Sequence, residues 1–193
     1  MYMQAVTELD AINEILLATG QEPIISLDNM SDNIDAVSAQ RCLRRVLATL
    51  QTSGYTWNLR SDVTLTPDST TKRIRWNTAW LSIKNTDDTS SYYRPKDGYV
   101  YDVVNDTFEF SSGFTAEIIR EVDFTELPYC FRNYAIQRAS YMFAGRVLGD
   151  ATLQQLLGQD VAEAMGKCTE YELDVGAYNM YDNTSISNGM SRS

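Results

Sequence analysis

The sequence predicts an α+β fold, a discontinuous helical bundle domain with an inserted antiparallel β domain. Three observations lead there. Apolar residues recur at helical spacing in residues 1–54 and again in 124–182. Between them, residues 55–123 are β-branched and aromatic, in short runs broken by turn residues. From Asp150 to about Val175 the chain reads as one long amphipathic helix of about 37 Å at the usual rise per residue. The expected domains are therefore 1–54 with 124–182, sharing one core, then the insert 55–123, and a small polar flexible tail at 183–193.

The first helix is expected over Glu8–Ala18. Thr7 and Asp10 make a capping-box start, Gly20 is a stop, and Leu9, Ile12, Ile15 and Leu16 form the apolar face. After Pro23, the run Ile24-Ile25-Ser26-Leu27 can pack as an extended segment. The second helix is expected over Ile34–Thr52, capped by Asp32 or Asn33 and ended by Gly54, with Ile34, Val37, Leu43, Val46, Leu47 and Leu50 inward.

Candidate strands are Trp57–Thr66, Arg73–Trp76, Leu81–Ile83, Ser91–Arg94, Tyr99–Val103, Thr107–Phe110 and Phe114–Val122. Asp97-Gly98 is a strong hairpin turn and Asn105-Asp106 a weaker one, and Thr86–Ser90 reads as an exposed loop. A third helix is expected over Tyr129–Val147, with Pro128 at its start and Phe131, Tyr134, Ala135, Arg138, Tyr141 and Met142 on one stripe. The fourth helix is capped by Asp150 and carries Leu153, Leu157, Val161, Ala164, Cys168, Tyr171, Val175 and Tyr178 on one stripe.

Charge narrows the function. The chain of 193 residues has a net charge of −10, which argues against a protein that wraps nucleic acid. Residues 1–30 carry five acids and no Lys or Arg, and residues 150–182 carry seven acids and only Lys167. Residues 31–54 and 124–149 lean basic, through Arg41, Arg44 and Arg45 and through Arg132, Arg138 and Arg146. In a ring this division gives each subunit one acidic and one basic flank. No run of apolar residues is long enough to span a membrane, and Met1–Gln4 lacks the start of a signal peptide, so a protein kept in a cytoplasm is expected. Cys42, Cys130 and Cys168 are far apart in sequence and read as reduced, buried thiols.

Much catalytic chemistry is excluded. The chain has no histidine, which removes histidine bases, Ser-His and Cys-His triads and most zinc sites. No phosphate-binding glycine motif is present, and Asp87-Asp88 reads as a solvated turn instead of a calcium loop. No cofactor is expected. Glycoside hydrolysis by two carboxylates remains open, with Glu170 and Asp174 at i, i+4 as the pair to consider. A small regulatory module is a further alternative. Glu170, Glu172 and Asp174 form an acidic strip near a helix C-terminus, where the macrodipole disfavours them, so a basic surface of another subunit is a candidate partner. Tyr99 and Tyr101 share one face of a strand with Tyr92 or Tyr93 across the hairpin, as packing or as a protein-docking patch. Base stacking is disfavoured by the low density of interleaved basic residues.

Four stretches in order resemble one family over nearly the whole chain. They are Ala11–Pro23 (AINEILLATGQEP), Gly54–Asn58 (GYTWN), Gly98–Asp102 (GYVYD), and Leu127–Arg132 (LPYCFR) with the distant Glu170–Met180 (EYELDVGAYNM). The family is tail tubular protein A, the head-to-tail adaptor of short-tailed bacteriophages. The resemblance implies a non-enzymatic virion protein, assembled in the host cytoplasm, with a helical domain carrying a β-rich insertion. It implies a twelve-fold ring of copies beneath the portal protein ring, linked to the tail nozzle (tail tubular protein B-like). Double-stranded DNA passes through transiently, without sequence-specific binding. The free chain is then a monomer or a ring. The candidate subunit or portal interface comprises Arg41, Arg44, Arg45, Glu170, Glu172, Asp174, Tyr178, Asn179 and Met180, and the candidate nozzle-facing residues are Tyr92, Tyr93, Tyr99 and Tyr101. The short Ser/Asn-rich C-terminus departs from the family pattern.

Overall fold

A computed structural model of the chain describes residues 7–28 and 30–181, with side chains through Gly176. The N-terminal residues 1–4 and the tail 183–193 lie outside the described residues. The elements are α1 (Glu8–Leu17), α2 (Ile34–Gln51), β1 (Leu59–Leu65), β2 (Trp80–Asn85), β3 (Tyr93–Lys96), β4 (Tyr99–Asp102), β5 (Phe114–Arg120), α3 (Tyr129–Val147) and α4 (Ala151–Tyr181). This is the α+β arrangement expected, with helices on either side of a β region in sequence. The described residues fall into two compact units. One takes the residues up to Leu50 and those from Asp123, and the other is Gln51–Val122.

The helical unit starts from local signals. The Thr7 hydroxyl accepts from the Asp10 amide, and the Asp10 carboxylate accepts from the Thr7 amide, closing the capping box. Asn33 caps α2 by accepting from the Ala36 amide, and the Asp150 carboxylate accepts from the Thr152 and Leu153 amides at the start of α4. The Asn13 side-chain amide both donates to and accepts from the backbone of Ile24, which pins the following loop onto α1.

The core corrects two apolar stripes. Ile34 is 81% exposed, and α2 instead buries Ala36, Ala39, Cys42, Leu43, Val46 and Leu50. Helix α3 buries Ala135, Ile136, Ala139 and Phe143 in a core with α1 and α2. Its other side meets α4. The Phe131 ring stands edge-on to Tyr171 with centroids 6.0 Å apart, and the Gln154 amide donates to the Tyr141 carbonyl at 3.0 Å. The expected single stripe on α3 fails because this helix is covered on two opposite sides, so its pattern averages out.

The β unit has two antiparallel sheets, β1-β5-β2 and β3-β4. The expected strand at Thr107–Phe110 is absent, and only Thr107 bridges to Asp102. Within the stretch, the Glu109 amide donates to the Thr107 hydroxyl and the Phe110 amide to the Lys72 carbonyl, so these backbone donors find scattered partners instead of a ladder. Arg73–Trp76 is likewise reduced to one bridge, Arg75 to Tyr99. Asp97 (φ 52°) and Gly98 (φ 79°) make the β3–β4 turn, both in the left-handed region that a type I′ hairpin requires. Inside, Tyr93, Phe110 and Phe114 form a mutually packed trio with centroids 4.9 to 5.8 Å apart.

The root of the β unit is polar. Asn58 is fully buried; its amide donates to the carbonyls of Gln51 (2.7 Å) and Arg120 (3.2 Å), and its oxygen accepts from the Tyr55 amide at 2.8 Å. The Gln51 side chain forms a two-way pair with the backbone of Val122 at 3.1 and 2.7 Å. Both chain crossings of the unit are therefore tied together by two buried amides.

Candidate functional site

The interface candidates on α2 are solvent-facing. Arg41, Arg44 and Arg45 are exposed, with Arg41 and Arg45 one turn apart on the same face. No carboxylate lies within ion-pair distance of any of the three among the described residues.

Helix α4 places the three acids differently. Glu170 and Asp174 are exposed, whereas Glu172 is half-buried on the side toward Cys130, Cys168 and Tyr171. Helical geometry explains the split, because residues two apart lie on opposite sides of a helix. The outer strip instead gains Asp160 and Glu163, both exposed, and with Lys167 it runs 160, 163, 167, 170, 174. That row at steps of three and four was present in the sequence as a charge period. Lys167 bonds Glu170 at 3.0 Å, which raises the lysine's affinity for its proton. Because α4 continues to Tyr181, Glu170 and Asp174 lie turns away from its end, and the expected macrodipole penalty does not apply. Tyr178, Asn179 and Met180 continue the helix, and their side chains lie outside the described residues.

Between α3 and α4, an open cleft of about 200 Å³ is lined by Asn133, Gln137, Asp160, Glu163, Ala164 and Lys167. Its polar lining differs from the apolar pocket that raises a glycosidase acid. Glu170 and Asp174 are in open solvent. Asp10, Asp68 and Asp88, the carboxyls with displaced acidity, all shift down because of hydrogen bonds from nearby Thr or Ser residues. Asp87 accepts from the Thr115 amide and Asp88 from Ser90 and Ser91, so both serve the turn.

All three cysteines are free thiols; Cys42 and Cys168 are buried as expected, whereas Cys130 is half-buried. Cys130 and Cys168 meet across α3 and α4, and burial with Cys130 beside it pushes the Cys168 thiol up to about 12. Burial also raises Cys42 and Cys130. A thiol held protonated is a poor nucleophile.

The tyrosine set splits as well. Tyr93 (8% exposed) and Tyr101 (5%) are buried, Tyr99 is half-buried, and Tyr92 is 63% exposed. Tyr93 belongs to the β core. Tyr99 and Tyr101 lie on the outer face of the hairpin, among cations the sequence reading left out. Arg73 lies over the rings of Tyr99 (5.6 Å) and Phe108 (5.2 Å), Arg94 over Tyr101 (5.4 Å), and Lys96 over Tyr101 (4.1 Å) and Phe108 (5.3 Å). The alternation of Arg73 with Arg75 and of Arg94 with Lys96 put each pair on one strand face. Their meeting depends on the Arg75–Tyr99 bridge and the β3–β4 register, which pairs Arg94 with Tyr101 and Lys96 with Tyr99.

No helix among the described residues is long and apolar enough to cross a membrane. A family model described as "Tail tubular protein" matches residues 9–178. Tail tubular protein A of Klebsiella phage KP34 is 31% identical over 144 residues, covering 74% of this chain and 73% of that protein.

Proposed function

The chain belongs to the tail tubular protein family, structural components of the bacteriophage tail, and on that premise we propose that it is a ring-forming head-to-tail adaptor. In this reading it joins the portal protein ring to the tail nozzle and lines the channel through which double-stranded DNA leaves. The residues 1–54 with 124–182 form the adaptor domain, and 55–123 form an inserted domain that faces the nozzle through Tyr92 and the outer face around Tyr99.

The observation that supports this most is the layering of the helical unit. Helix α3 has α1 and α2 on one side and α4 on the opposite side. The exposed Arg41, Arg44 and Arg45 on α2 and the exposed Asp160, Glu163, Glu170 and Asp174 on α4 belong to opposite layers. Two unlike, complementary flanks are what a head-to-tail ring requires. Tyr178, Asn179 and Met180, at the far end of α4, are the candidate portal contacts. The overall acidity of the chain, −10, would keep phosphates from sticking to a channel wall.

Mixing the purified chain with portal rings and measuring particle mass tests the reading. A gain equal to a full ring of subunits is expected, and an unchanged portal mass contradicts it. Release of reducing sugar from host glycans, abolished by Glu170→Gln or Asp174→Asn, would favour the hydrolase alternative instead.

A further inference from the structure

The outer face of the β3–β4 hairpin, which the adaptor reading turns toward the nozzle through its tyrosines, also carries cations that this reading does not explain. Arg73, Arg75, Arg94 and Lys96 are exposed there around Tyr99, Tyr101 and Phe108, on a chain of net charge −10. None of these four cations has a carboxylate within ion-pair distance among the described residues. The nearby acids do not neutralise them: Asp97 sits in the turn, and Asp106 accepts a hydrogen bond from the Tyr101 hydroxyl. The rings hold three of the cations by cation–π contact at 4.1 to 5.6 Å. Holding a cation against a ring removes side-chain freedom beforehand and leaves its outward N–H groups open to a carboxylate.

We infer that this face is a docking surface for a protein partner that presents a compact cluster of carboxylates. Size and charge favour that partner over nucleic acid. A four-residue hairpin strand spans about 13 Å. A duplex carries a charge about every 1.7 Å and continues beyond the patch, so the rest of an acidic chain repels it. A carboxylate cluster can end where the patch ends. The rings are also occupied by their own cations, so no base can stack on those faces. The inference goes beyond the adaptor reading by naming the chemistry of the partner at this face, and it holds whether or not the chain forms a ring.

The test uses the full chain with short poly-L-glutamate and short duplex DNA as probes at low salt. Poly-L-glutamate is expected to bind and to weaken with added salt. Arg73→Gln/Arg94→Gln/Lys96→Gln should lower that affinity by about tenfold or more, as loss of charge-assisted pairs does. Lys84→Gln/Lys167→Gln, which removes cations already paired with Glu117 and Glu170, should change it by less than about twofold. A Lys replacement at Arg73 and Arg94 keeps the charge but not the guanidinium, and should bind between the native chain and the Gln variant, which separates lost recognition from lost folding. Tighter binding of DNA through the same residues would reassign the face to nucleic acid and overturn the proposal. Absence of poly-L-glutamate binding, or binding indifferent to these cations, would overturn it as well.

Discussion

The helical unit and the β unit are closed by different chemistry. In the helical unit, Phe143, Leu16, Leu43 and Ile136 pack an apolar core, and the helix ends are finished by caps three residues away in sequence. In the β unit, two buried amides bind backbone groups 62 and 71 residues apart. Apolar packing tolerates adjustment, because a neighbouring side chain can shift to fill space. A buried amide tolerates little, since a lost partner leaves a desolvated group behind. The comparison predicts that substitutions in the first unit scale with volume removed, and in the second with hydrogen bonds removed.

The largest effect is expected from Phe143→Ala, about 3–5 kcal/mol by denaturant unfolding, from lost transfer and a cavity. Asn58→Leu keeps the branching and heavy-atom count of the side chain but takes away the partner of the Tyr55 amide and of the Gln51 and Arg120 carbonyls. It should cost about 3 kcal/mol and raise hydrogen exchange at the Tyr55 amide, and a cost under about 1 kcal/mol would mean that the polar root does not close this unit. Gly54→Ala in the same region should also destabilise. Its φ of +71° disfavours a side chain, and a Cβ would sit 2.8 Å from Ile119 Cδ1.

Asp150→Ala removes a cap from α4 and should cost about 1 kcal/mol, read as fraying of the first turn. The smallest effect comes from pH. Hydrogen bonds from Thr7 hold the Asp10 carboxyl below its ordinary value. The contribution is therefore present above the unfolded pKa and disappears as pH falls through the lower folded one. Asp10→Asn should flatten the acid limb of the stability profile slightly, and an unchanged limb would deny the cap a role.

The same contrast explains what the sequence made legible. Capping and helical spacing are local, so Thr7, Asn33, Asp150 and the α4 stripe identify their elements directly. The stripes of α2 and α3 misled where tertiary context decided: Ile34 lies outside the core, and α3 has two partners. Strands without ladders, such as Thr107–Phe110, look like strands because their residues suit a pleated surface, while the Thr107 hydroxyl and the distant Lys72 carbonyl take the hydrogen bonds a ladder would have held. Surface candidates followed the same rule. Arg41, Arg44 and Arg45 are neighbours through helix geometry alone, whereas Arg73 reaches Tyr99 only through chain pairing that residue types do not encode.

The central claim is that the chain works by joining unlike flanks of successive copies. The most direct measurement is the mass of particles formed on portal rings by Arg41→Glu/Arg44→Glu/Arg45→Glu, by Asp160→Lys/Glu163→Lys/Glu170→Lys/Asp174→Lys, and by an equal mixture of the two. Each variant alone should fail to complete a ring, because like charges then meet at every contact; the equal mixture should recover it, since alternating copies set the reversed flanks against each other and the native flanks against each other, and a chain carrying both reversals should recover it as well. Full rings from either single-flank variant would contradict the account.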